Sequence, residues 1–141
     1  MLEATGDLWT YPADYRVITT NGTVRRDGHA VLGRGCAKEA TERYPALARM
    51  LGARLRDHGA PTVEYFDQYG LFAFPVKHQW MEKADLALIS RSTAEFARHL
   101  LPSATYVMPR AGCGNGQLQW RDVQPILAVL PDNVVVIDYA R

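Results

Sequence analysis

Short apolar blocks run the length of this chain, and their spacing alternates between the two secondary-structure periods. Leu2 to Thr5 predicts a short strand ending at Gly6-Asp7-Leu8, and Arg16 to Thr20, rich in β-branched residues, predicts a second. Asn21 to Gly35 is polar and glycine-punctuated, too long for a mere connector. A helix is expected from Cys36, broken or bent at Pro45 and resumed through His58. Leu47, Met50, Leu51 and Leu55 then share one face, and Gly59 is the stop. Thr62–Phe66 and Leu71–Val76 read as a hairpin around Asp67-Gln68-Tyr69-Gly70. Leu86, Ile89, Phe96 and Leu100 follow helical spacing, with Pro102 closing the helix. Thr105–Met108 is a further strand, followed by a glycine-rich loop from Arg110 to Gln119. Val123, Ile126, Leu127 and Leu130 mark the last helix, and Val134–Ile137 a buried final strand. The order β-β-α-β-β-α-β-α-β is that of an α/β protein with a mixed sheet between helices, the hairpin supplying its antiparallel step.

Composition narrows the class. With 141 residues, 48% of them hydrophobic and 22% charged, the chain is expected to form one globular domain over residues 1–141. The longest apolar run is five residues, Ile126 to Leu130, too short to span a bilayer, and with Met1-Leu2-Glu3 at the start no signal peptide is expected. A cytoplasmic setting and a monomer are the default expectations. A net charge of +1 argues against a broad electrostatic grip on nucleic acid. The two cysteines, Cys36 and Cys113, fit free thiols better than a disulfide scaffold. The four histidines show no metal-ligand spacing, so neither a metal nor another cofactor is expected. Thirteen of the sixteen cations are Arg, which singles out the three lysines, Lys38, Lys77 and Lys83.

In open α/β sheets, ligands bind beyond the carboxyl ends of the strands. Asn21–Gly35, Lys77–Trp80 and Arg110–Gly116 each follow an expected strand. If those strands are parallel, the three segments converge on one crevice. Gly112-Cys113-Gly114-Asn115-Gly116 lies between strand and helix, where successive N–H groups can cradle an anion; its plainer reading is a tight turn without ligand. Gly33-Arg34-Gly35 is a second turn of this kind, and two such turns suit a diphosphate. Neither matches a P-loop or a dinucleotide fingerprint. Lys77 follows FAFPV, an apolar approach that can lower a lysine pKa enough for nucleophilic or acid–base work closed to Arg. A solvated strand-end cation is the alternative. Asp7 fits a cap or an acceptor for an amine, and Asn21 a turn or a contact to sugar hydroxyls. Trp80 and Trp120 read as core or staple aromatics rather than stacking platforms.

Taken in order, Gly6-Asp7-Leu8, Thr20-Asn21-Gly22, Gly33-Arg34-Gly35-Cys36-Ala37, Phe74-Pro75-Val76-Lys77 and the run Met108-Pro109-Arg110-Ala111-Gly112-Cys113-Gly114-Asn115-Gly116-Gln117-Leu118-Gln119-Trp120 resemble the macrodomain family. With its Pro-x-Lys segment the chain looks like the terminal ADP-ribose glycohydrolase branch. Its Gly-Asn-Gly form is similar to the antitoxin macrodomains of DNA-ADP-ribosylating toxin–antitoxin pairs.

The resemblance implies a three-layer α/β/α fold with a mixed six-stranded sheet and ADP-ribose in the crevice. Asp7 would bind the adenine amine and Asn21 would face the distal ribose. Gly33, Arg34, Gly35 and Cys36, together with Gly112, Cys113, Gly114, Asn115 and Gly116, would cradle the diphosphate. Leu8 and Pro109 join them as substrate-binding positions, and Lys77 would be the catalytic residue at the anomeric carbon. The implied partners are ADP-ribose, ADP-ribosylated DNA or protein, and a cognate ADP-ribosyltransferase toxin. The chain departs from the family in its long Asn21–Gly33 segment and in Gly116, which stands where protein-deribosylating relatives carry a catalytic Asp. Three activities follow as expectations: hydrolysis of mono-ADP-ribose with a nucleobase favoured as leaving group, non-catalytic ADP-ribose reading, or ADP-ribose 1″-phosphatase chemistry.

Overall fold

The computed structural model describes residues 1–139. Strands β1 (Leu2–Gly6) and β2 (Tyr15–Thr20) precede helices α1 (Gly35–Arg43) and α2 (Leu47–His58). Strands β3 (Glu64–Phe66) and β4 (Leu71–Pro75) flank a single 3-10 turn, Asp67–Tyr69. Helix α3 (Leu86–Ala97), β5 (Tyr106–Pro109), α4 (Trp120–Leu127) and β6 (Val134–Tyr139) complete the chain. The six strands lie in the order β1-β6-β5-β2-β4-β3. Every neighbouring pair is parallel except the β3–β4 hairpin. The expected mixed six-stranded sheet is thus the observed one, with the helix from Cys36 divided at Pro45 into α1 and α2.

Alternate strand residues point to opposite faces, so one buried run feeds two cores. Val17, Phe72, Phe74, Tyr106, Met108, Val134 and Val136 pack with Ile89, Phe96, Val123 and Leu127 of α3 and α4. Ile18, Leu71, Ala73, Val107 and Ile137 face the other way, against Ala37, Ala40, Leu47, Leu51 and Leu55 of α1 and α2. The α3 face differs from expectation. Leu86 is exposed, and Leu88, Ile89, Ser92, Thr93 and Phe96 are the buried positions. Leu86 is the first residue of the helix, before its stripe turns onto the sheet.

Two local devices hold the loops at the strand ends. Asp85 caps α3, accepting from the Ala87 N–H at 2.9 Å and from His78 Nε2 at 2.9 Å. Gly52, inside α2, lets the long loop lie directly on the helix, because a Cβ there would collide with the Gly28 carbonyl. The neighbouring Ala30 N–H donates to the Ala48 carbonyl at 2.8 Å.

The cap yields a stability prediction. Asp85→Ala should cost about 1 kcal/mol in urea unfolding at pH 7. The His78 hydrogen bond and the backbone N–H groups lower the Asp85 pKa. Its contribution is therefore full above the unfolded carboxylate value and fades as pH falls through the folded one. The gap between wild type and variant should shrink on acidification, and a gap that widens toward acid would contradict the assignment.

Candidate functional site

Strands β5, β2 and β4 are adjacent and parallel, so their carboxyl ends open on one edge of the sheet. The three segments singled out from the sequence converge there around a cavity of about 1200 Å³. That exceeds the roughly 300–1,000 Å³ usual for small-molecule sites and leaves room for a dinucleotide-sized ligand. Asn21, Gly33, Arg34, Gly35 and Cys36, then Lys77, then Pro109 with Gly112 to Gly116 line it, each set from one of the three segments.

Both walls present backbone donors. Helix α1 starts after Arg34, whose backbone is extended and whose side chain caps nothing. The first hydrogen bond at this end runs from the Lys38 N–H to the Arg34 carbonyl at 3.2 Å. The N–H groups of Gly35, Cys36 and Ala37 are the orphan donors every helix start leaves, here at the cavity wall with the positive end of the helix dipole. In the facing turn, Cys113 donates to the Arg110 carbonyl (3.1 Å), Gln117 to Gly114 (3.0 Å) and Leu118 to Gly112 (2.9 Å). The N–H groups of Gly114, Asn115 and Gly116 have no acceptor among the described residues. The walls nearly touch: a Cβ on Gly35 would lie 3.3 Å from Asn115 Nδ2.

Gly116 holds the turn closed. A Cβ there would stand 2.5 Å from the Gly112 carbonyl oxygen and 2.8 Å from the Ala84 Cβ. The Gly116 carbonyl in turn accepts from the Ala84 N–H at 3.0 Å. A side chain of any kind at this position requires the turn to be rebuilt.

Lys77 leaves the sheet at the end of β4. Its Nζ donates to the Trp80 carbonyl at 3.3 Å, and it forms no ion pair among the described residues. Burial, and then the positive charge of Arg34, lower its pKa. The segment after it is tied to the long loop. Gly22 N–H donates to the His78 carbonyl (3.1 Å), Thr23 Oγ1 to Gln79 Oε1 (2.7 Å), and the Trp80 N–H to Thr23 Oγ1 (2.9 Å). Asn21 closes the same loop, donating from Nδ2 to the Val31 carbonyl at 3.0 Å and accepting from the Thr23 N–H at 2.9 Å. Its amide therefore shapes the wall it belongs to.

Two residues from the sequence reading stand outside the cavity lining. Asp7 accepts from the Trp9 N–H at 2.7 Å, and its carbonyl accepts from Thr10 and Tyr11, so it organises the turn after β1. Leu8 is wholly buried in the α1–α2 core, with its carbonyl accepting from Arg16 Nε at 2.9 Å. The cavity lining also takes in side chains outside the candidate site residues. Arg110 lies 4.9 Å above the Trp120 ring and within 3.7 Å of carboxylate oxygens of Glu3 and Asp138. Asp138 and Tyr139 end β6 beside it, and burial with nearby Glu39 raises the Tyr139 pKa. Trp80, expected as a core or staple aromatic, is 47% exposed and lines the cavity with Lys77.

Neither thiol suits nucleophilic work. Burial raises the pKa of Cys36, and that of Cys113 to about 11, so both are protonated near neutrality. Among the described residues no three His, Cys, Asp or Glu side chains gather to hold a metal. No described helix is long and apolar enough to cross a membrane.

The two turn glycines separate packing from access. Gly116→Ala should lose about 1–3 kcal/mol in chemical denaturation, because its Cβ meets backbone that must move. Gly114→Ala, with nothing within 4 Å of the added carbon, should stay within about 0.5 kcal/mol of wild type. Equal losses at both positions would contradict this account.

No family profile matches the sequence, and no curated protein matches it. Solved structures do. The macrodomain of Mycobacterium tuberculosis DarG aligns with a TM-score of 0.80 at 25% identity, covering 99% of this chain and 97% of that one. The macrodomain of Thermus aquaticus DarG aligns at 0.74 and 21% identity, over 99% and 97% of the two chains. Thermosipho africanus DarTG, solved in complex with ADP-ribose, aligns at 0.74 and 16% identity, over 96% of this chain and 40% of that one. The mixed six-stranded sheet, its strand order and the helices on its two faces are thus those of a macrodomain.

Proposed function

We propose that this chain binds ADP-ribose in the crevice and hydrolyses mono-ADP-ribose from a modified nucleobase, with Lys77 acting at the distal ribose. One observation carries the reading. The N–H groups of Gly35–Ala37 and Gly114–Gly116 have no acceptor among the described residues, and their segments line the same cavity as Lys77, whose pKa is lowered by burial. A diphosphate supplies the two negative charges and multiple acceptors such walls leave unmet. With the diphosphate between the walls, the sugar beyond it reaches toward Lys77, and the other nucleoside extends toward Arg110, Trp120 and Tyr139. Similarity in fold to DarTG in complex with ADP-ribose supports the choice of ligand. A cognate ADP-ribosyltransferase is the matching source of the modification.

In the proposed reaction the neutral Lys77 amine attacks the anomeric carbon while the glycosidic C–N bond breaks and its electron pair leaves with the base. The base takes up a proton, and water then hydrolyses the sugar–lysine adduct, restoring the amine and freeing ADP-ribose. A charged Lys77 that only polarises the leaving group is the competing role, and Arg would serve it equally well.

Calorimetry in chelator should show ADP-ribose binding to the wild type, because the donors are backbone groups. Lys77→Ala should abolish release from an ADP-ribosylated oligonucleotide, a loss of at least about 10²-fold, with ADP-ribose still bound. Lys77→Arg should fail equally; rescue by Arg would assign the lysine a purely electrostatic role. Intact turnover by Lys77→Ala would remove it from the chemistry, and binding without release by the wild type would favour a reader.

The pH profile follows from the direction of the Lys77 shift. Since the free amine is the reactive form, kcat/KM should rise with pH and level off below the ordinary lysine value of about 10.4. Arg34→Ala removes one of the two influences lowering that pKa, so the rising limb should move to higher pH. An unmoved limb, or one moving to lower pH, would contradict the amine's role.

A further inference from the structure

The carboxyl end of β6 carries a group of charges that the proposed chemistry leaves unused. Pro109 pairs with Ile137, so the next residues of the two parallel strands, Arg110 and Asp138, come side by side where β5 ends. Both line the cavity. Their charged groups stand 3.7 Å apart, beyond hydrogen-bond distance, and Arg110 is equally 3.7 Å from Glu3 on β1. Trp120 supports this arrangement: its ring lies 4.9 Å from Arg110 Cζ, and its indole N–H donates to Glu3 Oε1 at 2.9 Å. Neither the Arg110 guanidinium nor the Asp138 carboxylate makes a hydrogen bond among the described residues. Beside them the Tyr139 hydroxyl donates to Glu39 Oε1 at 3.4 Å, and burial, then Glu39 and more weakly Asp7, raise its pKa.

In sheet order β6 lies three strands from β4, about 14 Å at the usual spacing of roughly 4.8 Å. The two ends of the crevice differ in charge. Lys77, with Arg34 near enough to lower its pKa, makes the β4 end positive. At the β6 end Glu3, Glu39 and Asp138 outnumber Arg110. Resting on the function proposed above, we infer that Asp138 and Arg110 read a free hydroxyl of the nucleoside-side ribose, and that the carboxylates around them turn away a ligand phosphorylated there. With the diphosphate at the glycine turn after β5 and the distal ribose at Lys77, the second ribose falls at β6. A hydroxyl both donates and accepts: Asp138 supplies the acceptor and Arg110 the donors. A phosphate in its place only accepts, and it adds negative charge. In dinucleotide sites an acidic residue selects the free ribose hydroxyl and an arginine accommodates the phosphate. Here both are present, and their number decides. One guanidinium already faces two carboxylates, with a third on Glu39 close by, so the balance is against the phosphate.

Calorimetry with ADP-ribose and its 2′-phosphate, phosphorylated on the adenosine ribose, reads this without any turnover. The wild type at low salt should bind ADP-ribose at least about tenfold more tightly than the 2′-phosphate, as like charges brought together require. Added salt should narrow that ratio. Asp138→Asn keeps the size of the side chain and removes its charge. It should weaken ADP-ribose about threefold, a charge-assisted hydrogen bond becoming a neutral one, and strengthen the 2′-phosphate about tenfold. Glu3→Gln keeps an acceptor for Trp120 and should shift the ratio in the same direction. Equal binding of the two ligands by the wild type overturns the inference alone. So does a ratio that Asp138→Asn leaves unmoved, since size rather than charge would then exclude the phosphate. No ADP-ribose binding by the wild type is a different result: it overturns the reading of the crevice, and this inference with it.

Discussion

Around the crevice two groups of backbone N–H donors are left without protein acceptors, one at the start of α1 and one in the glycine turn. A helix start is ordinarily capped by a side chain. Here Arg34 occupies the cap position and caps nothing, and the opposite turn contains glycines where side chains could have folded back. The donors persist because both turns are fixed from outside the cavity. One is fixed through α1 and its contacts with β2, the other through Gly116, whose carbonyl receives the Ala84 N–H just before α3. Both anchors start from the parallel sheet, whose two apolar faces set the positions of the strand ends.

The lysine end depends on a second constraint. Lys77 follows a fully buried strand but belongs to a segment with no regular structure, so its place is set by what that segment is tied to. The tie is the long loop after β2. Gly22, Thr23 and Asn21 bond the His78–Trp80 segment on one side and Val31 on the other, and Gly52 lets the loop rest on α2. The length of that loop is what lets it reach both α2 and the lysine segment. Position and charge then act together: the same enclosure that fixes Lys77 lowers its pKa, and Arg34 from the opposite wall adds to the effect.

Much of this was legible from residue order alone, for identifiable reasons. Strands such as Leu71–Val76 and Val134–Ile137 are buried on both faces and read as unbroken apolar runs. The Pro45 break and the glycine-rich turn announce themselves by residue type. The convergence of three loops required only that β5, β2 and β4 be parallel neighbours. What stayed hidden depended on the order of the other strands. Asp138 and Tyr139 reach the site because β6 lies beside β5 and continues two residues past its apolar run, which periodicity does not reveal. Trp80 was misjudged because an indole is usually buried, and only the loop's anchoring explains why this one stands free. Asp7 and Leu8 match a motif in sequence but lie outside the cavity lining: Asp7 Oδ1 accepts from the Trp9 N–H, and the Leu8 carbonyl accepts from Arg16 Nε.

Gly116 bears on the chemistry as well as the packing. A carboxylate beside the lysine would stabilise its charged form and raise its pKa, opposing the effect of burial. Backbone 2.5 Å from where a Cβ would stand excludes an Asp from this turn as built. No Asp or Glu pairs with Lys77 among the described residues. On the proposed reading, the fold therefore exchanges a general base for a lysine that is already easier to deprotonate. With no carboxylate in the turn to share the work, the amine itself must be free to attack, and the burial that lowers the Lys77 pKa brings that form nearer to neutrality.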